Sequence, residues 1–428
     1  MLGMENINLR SNYLRLLSLL LIGFYILNCF GPLRLTNDTI RYLNIKTWMD
    51  ADSPPNGIEA KEFLPHGYIW FLILLDKLHL AKSFFISFFQ LGYLLGSLWF
   101  VKKMFGKSLN GWGFLFYSLL SWGLLKLVIT PLSEMQFLFF SMGALYFFNA
   151  AEENKRGMDL FFAFLFSTIA IFTRTVGIIL IGSFLLTFLF RHRKNLLKSM
   201  LENKWMVFSI FIFLVLLCSL ATQFGIAGYF NYHYRNFTLD SGHGLSHFAR
   251  TIGLQFINWS GVFLNFPAPK LDPSQPYTSW LAYAYLIIGV VGFSTLLYTL
   301  FVRGSAIPLV VKYFLVLYSV VIFNWPFIEP RFWAILLPIS VTVFMQGKAA
   351  ATAFSRVLIL SYRAIYIVAG IASLLYYSYT SLNKQELALK QDAGQWKNEY
   401  QTYFYGKPLS DSSAHVRLPI MDLLKKYD

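Results

Sequence analysis

Apolar residues in this chain arrive in long blocks, neither alternating with polar ones nor confined to narrow helical stripes. A block of ~20 apolar residues matches the hydrocarbon thickness of a bilayer, where only a helix satisfies its own backbone hydrogen bonds. The blocks predict spanning helices near 13–31, 82–101, 111–129 and 132–149, then two more from a block over 160–190. Others follow near 206–223, 280–301, 308–325, 332–346 and 364–379. The expected fold is an all-α polytopic membrane protein with about eleven transmembrane helices, within a range of roughly 10–12. The runs are too long, and alternate too little, for an outer-membrane barrel.

The polar interruptions set the organisation. Arg10 and Arg15 flank the start of the first block and place the N-terminus inside; that block is too long for a signal peptide and lacks a cleavage flank, so it reads as a retained anchor. Residues 32–80 then form a first outer loop. It contains Pro65-His66-Gly67-Tyr68 followed by a short apolar run to Leu75, which predicts a helix lying in the interface. The block over 160–190 is broken at Thr173-Arg174-Thr175, and arginine in mid-membrane is costly, so two helices meeting at the outer face are expected, with Arg174 at their hinge. A middle outer loop is expected over 224–279. Residues 1–379 thus form one membrane domain, and 380–428 a polar tail that an odd number of spans leaves outside.

Composition sharpens this picture. Of 428 residues, 56% are hydrophobic, 19% aromatic and only 13% charged, about half the charge of a soluble domain. The net charge of +15 invites a nucleic-acid reading. Its distribution removes the need for one: the excess sits mainly on segments assigned to the cytoplasmic side, such as Lys102-Lys103, Lys155-Arg156 and Arg191 to Lys194. Cys29 and Cys218 both lie inside apolar runs and read as small core residues.

The remaining charges carry the chemistry. Asp38 follows directly on the first span, where a partly desolvated carboxylate could act as general base toward a hydroxyl; a solvated loop aspartate is the plainer alternative. Glu134 opens the fourth span, where a carboxylate also suits the helix dipole. Glu329 and Arg331 flank Pro330 in an outer turn and could simply pair with each other. Two arginines and several carboxylates are therefore expected at one membrane face, and arginine's planar fork suits phosphate. The middle loop adds His233, Arg235, Asp240, His243 and His247. The spacing of His243 and His247 would put both rings on one helical face, but Gly242 and Gly244 argue against a regular helix there, and zinc usually takes three or four ligands.

Several of these pieces, in this order, resemble the GT-C superfamily of polytopic glycosyltransferases, which includes protein O-mannosyltransferases, lipid A aminoarabinose transferases and GPI-anchor mannosyltransferases. They are Asp38-Thr39-Ile40-Arg41-Tyr42, Pro65-His66-Gly67-Tyr68, Pro131-Leu132-Ser133-Glu134, Thr173-Arg174-Thr175-Val176-Gly177, and Pro330-Arg331-Phe332 leading to Leu336-Leu337-Pro338. The resemblance covers roughly 10–350. It implies a sugar transferred from a polyprenyl- or dolichyl-phosphate donor to a lipid, glycan or protein acceptor, with Asp38 as catalytic carboxylate. Arg174 and Arg331 would hold the lipid phosphate. Tyr42, Glu62, His66, Glu134, His233, Arg235 and Glu329 complete the candidate substrate-binding set. Many members carry an adjacent acidic pair in the first loop; here Asn37 precedes Asp38, which leaves open whether a divalent cation (Mg or Mn) takes part.

Two other classes stand beside this reading. A flippase or transporter of lipid-linked glycans should carry charges in mid-membrane and matched repeats, neither of which the sequence displays. A polyprenyl-linked glycan polymerase or ligase would centre on a large late outer loop, for which 224–279 qualifies. The expected location is a bacterial inner membrane with the site on the periplasmic face. The alternative is the endoplasmic reticulum with a luminal site, suggested by sequons at Asn37, Asn236 and Asn258 and by a dilysine-like Lys425-Lys426.

Overall fold

A computed structural model describes residues 2–50, 64–106, 109–193, 244–268, 279–303, 307–325, 327–346, 353–392 and 416–428, together with 397, 401 and 405. All regular structure among them is helical. The first half comprises α1 (Leu2–Cys29), α2 (Asn37–Asp50), α3 (Gly67–Lys77), α4 (Ser83–Phe105), α5 (Gly111–Leu119), α6 (Trp122–Val128), α7 (Glu134–Asn154), α8 (Gly157–Thr173) and α9 (Ile178–His192). The second comprises α10 (Gly244–Phe263), α11 (Trp280–Tyr298), α12 (Leu309–Phe323), α13 (Pro330–Ala334), α14 (Leu337–Gln346), α15 (Ala353–Leu382), α16 (Lys384–Asp392) and α17 (Arg417–Lys426).

Among the described residues, five helices are long and apolar enough to cross a bilayer: Asn12–Cys29, Ser83–Phe105, Thr175–His192, Trp280–Val302 and Ile359–Leu382. The pair α5–α6 makes a sixth if counted as one span. At the positions expected for four others stand α7, α8, α12 and α13–α14, which are shorter or more polar, and 206–223 lies outside the described residues. Apolar side chains such as Leu20, Leu360, Val368 and Leu375 face outward from α1 and α15, as lipid contact requires.

Two sequence expectations need correction. The third span is not one straight helix: α5 and α6 bend by 71° at Leu120-Ser121. The break is satisfied by a residue far along the chain, because Asn265 donates from Nδ2 to the carbonyls of Leu120 (3.0 Å) and Tyr366 (3.2 Å) and accepts from the Trp122 amide (3.2 Å). Freed backbone groups at membrane depth are tolerated only when partnered in this way. The middle outer loop is likewise not continuous loop over 224–279. Its residues 244–263 are α10, packed into the bundle with Gln255 and Trp259 buried. Gly289 on α11 lies so close to the Phe256 carbonyl that any side chain there would collide with it. Gly244 therefore opens a helix that it was expected to interrupt, and the sequon at Asn258 is buried in the same helix.

The expected tail contains helices of its own. Residues 384–428 include two helices that pack on each other through Leu387, Ala388, Ile420 and Leu424. They sit at the end of the bundle where α1 ends and α4 begins: the Ser83 amide donates to the Tyr427 carbonyl (2.6 Å), and Gln391 Nε2 donates to the Leu35 carbonyl (2.8 Å). Lys384 pairs with Asp428. The tail and the first outer loop therefore share one face. Cys29 is buried, as expected of a core residue, and Cys218 lies outside the described residues.

Candidate functional site

The site begins with α2. Thr36 caps this helix, its hydroxyl accepting from the Thr39 amide (3.2 Å), which places Asp38 in the first turn where the helix dipole favours a carboxylate. Ile40, Tyr42, Leu43 and Ile45 bury the inner face. Arg41 lies one turn on from Asp38 and reaches back to its Oδ1 (3.3 Å).

Behind α2 stands the start of α7. Ser133 Oγ accepts from the Tyr42 hydroxyl (2.9 Å), and Glu134 follows at the first helical position with only 1% of its side chain exposed. Arg174 arrives from the end of α8. It is a single extended residue (φ −151, ψ 131) that turns the chain into a 3-10 segment, Thr175–Gly177, and then α9. The hinge expected at Thr173-Arg174-Thr175 is thus present. Gly67, at the start of α3, lets that helix press against the same corner: a Cβ there would lie 2.8 Å from the backbone of Phe172. The Trp70 and Phe172 rings continue the contact at 5.5 Å.

Arg331 closes the arrangement. Pro330 starts α13, with Glu329 as the residue before it. Arg331 Nη2 meets Asp38 Oδ2 at 2.5 Å, Nη1 lies 3.4 Å from Glu134 Oε1, and Nε lies 2.8 Å from Glu329 Oε2. Arg174 Nη1 meets the same Glu134 Oε1 at 2.5 Å. Both guanidinium groups stand over the Phe332 ring, Arg331 at 5.0 Å and Arg174 at 5.2 Å. One network of alternating charge therefore joins α2, α7, the α8–α9 hinge and α13.

Of the expected site residues, Asp38, Tyr42, Glu134, Arg174, Glu329 and Arg331 come together. His66 stands just before α3 at the neighbouring corner, its ring 6.4 Å from that of Trp70, and burial pulls its imidazole below 6.5. Glu62, His233 and Arg235 lie outside the described residues, as does His243. Sequence reasoning gave no site role to Arg41, Ser133, Phe332 or Lys126. The spacing of Arg41 from Asp38 is a helical signal that could have found it. Lys126, whose charge acts on Glu329, was hidden inside an apparent span.

The electrostatics follow from this geometry. Burial works to raise the Asp38 carboxyl, but Arg331, Arg41 and Arg174 outweigh it and hold the group below its ordinary 3.8. Glu329 goes the other way. Burial raises it above 4.5, aided by the Asp38 and Glu134 charges, and Arg331 offsets this only in part. Burial lifts the Tyr42 phenol to about 12, so it stays protonated and donates to Ser133.

Among the described residues, no three His, Cys, Asp or Glu side chains are grouped to hold a metal ion. The nearest candidates, Asp38, Glu134 and Glu329, each turn an oxygen onto the Arg331 guanidinium, and a divalent cation bound by all three would have to displace it. As they stand, these carboxylates do not fit a Mg or Mn ion.

No protein-family model, curated protein or solved structure matches the chain.

Proposed function

We propose that the protein is a membrane glycosyltransferase of the GT-C kind. In this reading it transfers a sugar from a polyprenyl-phosphate or dolichyl-phosphate donor to a lipid, glycan or protein acceptor at the non-cytoplasmic face. The observation that carries the proposal is the contact of Asp38 with Arg331 and, through Glu134, with Arg174, three residues from distant segments.

Asp38 remains ionised and keeps 22% of its side chain exposed, so it can accept a hydrogen bond from an incoming acceptor hydroxyl. As that oxygen attacks the anomeric carbon, its proton passes to Asp38. The bond from the anomeric carbon to the phosphate oxygen breaks, and the lipid phosphate leaves with the electron pair. Arg331 and Arg174 supply fixed positive charge for that leaving group, with Arg331 exchanging a carboxylate contact for a phosphate oxygen. No step is routed through a divalent cation.

The positive-inside bias supports a non-cytoplasmic site. Lys102, Lys103, Lys155 and Arg191 lie at the ends of α4, α7 and α9 remote from the network. A bacterial inner membrane with a periplasmic site is the favoured location; in an endoplasmic reticulum membrane the same face would be luminal. The polymerase or ligase reading is weakened because α10 takes up much of the late loop it needs.

The test is a reconstituted assay with a panel of radiolabelled polyprenyl-phosphate sugars. Asp38→Asn should insert normally and lose transfer by roughly a hundredfold or more. Full turnover by that variant would remove Asp38 from the mechanism.

A further inference from the structure

The residues just before Asp38 are held from an unexpected direction. Residues 30–36 link α1 to α2, with Leu33 and Leu35 buried. The Arg34 amide donates to the Ile129 carbonyl (3.0 Å), while its guanidinium donates to Thr380 (3.2 Å) and Ser381 (2.8 Å) at the end of α15 and lies 5.0 Å from the Tyr377 ring centre. One residue on, the Leu35 carbonyl accepts from Gln391 of α16. Thr36 then caps the helix that carries Asp38.

Gln391 is itself fixed. It is buried in α16, and its neighbour Asp392 accepts from the Val416 amide (2.8 Å), tying α16 to the start of α17. The far end of α17 is tied to α4 through Tyr427 and Ser83. The C-terminal segment therefore spans from the start of α4 to the strap in front of Asp38. That strap has no regular secondary structure, so its placement depends on such side-chain bonds.

We infer that the C-terminal segment is a working part of the site, with Gln391 as the positioning residue that sets the first turn of α2, and hence Asp38, against Arg331. The catalytic arm of this inference rests on the proposed glycosyl transfer; its structural arm does not. Misplacing a reacting group by a fraction of an ångström lowers turnover without abolishing binding.

Full-length Gln391→Met, which keeps the volume and removes the donor, tests both arms. Hydrogen exchange at the Thr39 and Ile40 amides should quicken roughly fivefold, the equivalent of one hydrogen bond, with α4 and α7 unchanged. In the sugar-transfer assay kcat should fall about tenfold while KM for the lipid donor stays within about twofold. Should Gln391→Met fail to insert, Gln391→Glu replaces the donor with an acceptor in the same shape and carries the same measurements. Unchanged exchange overturns the inference whatever the activity, and so does faster exchange with unchanged kcat. A wild-type protein inactive toward every donor would instead defeat the proposed function, leaving exchange to decide whether Gln391 sets the helix.

Discussion

Arg331 touches three carboxylates, and each answers to its own surroundings. Glu134 is the most deeply placed of the three and serves Arg174 and Arg331 through one oxygen. Glu134→Ala would leave two guanidinium groups short of a partner, and removing one side of a buried pair costs about 3–5 kcal/mol. We expect a loss of that order in reversible denaturant unfolding in mixed micelles. Glu329 behaves oppositely. Its carboxyl is raised in the folded protein, so its contribution to stability is present below the unfolded value and lost as pH rises through the folded one. Glu329→Gln should therefore raise the thermal midpoint at pH 8, and the gain should vanish below about pH 4. For Asp38 the sign is reversed: its stabilisation is complete above 3.8 and disappears only as pH falls below that value. A thermal-midpoint gain for Glu329→Gln that grew on acidification would contradict this assignment.

At the scale of elements, two close contacts set where charges end up. Asn265, itself in the left-handed region (φ 59), satisfies the α5–α6 break from outside that pair. Asn265→Leu would leave buried backbone groups unpartnered, at about 1–3 kcal/mol for each. The variant should unfold at lower denaturant and open α5–α6 to hydrogen exchange first. Gly67 is the second contact. A methyl group there meets the Phe172 backbone, so Gly67→Ala must push α3 from the α8 corner at a cost of about 1–3 kcal/mol. Because Arg174 follows Phe172 by two residues, sugar transfer should fall along with stability.

For the whole molecule the question is which ends face the same side. Helix α7 runs from Glu134 at the network to Asn154, and at 1.5 Å per residue it carries Lys155 about 30 Å away. Leu78, after α3, and Leu418, in α17, are exposed near the network end. In a protein with Cys29 and Cys218 replaced by alanine, cysteines at positions 78 and 418 should react with an impermeant maleimide from one side of sealed vesicles. A cysteine at 155 should react only from the other. Position 418 reacting together with 155 would overturn the shared face.

Much of this arrangement was legible along the chain. Block length and apolarity are one-dimensional properties, so the spans at 13–31, 82–101, 280–301 and 364–379 appear as helices, as do the hinge at Arg174 and the short helix after Pro65. What a side chain meets across the bundle is not such a property. Nothing near Leu120 announces that Asn265 will fill its break, and the apolar half of 244–263 does not say whether it lies in a loop or inside the bundle. The sequence could place acids and arginines at one rim; only the packing of α2, α7, the α8–α9 hinge and α13 decided that they meet on a single guanidinium, because paired charges depend on distances that span length does not encode.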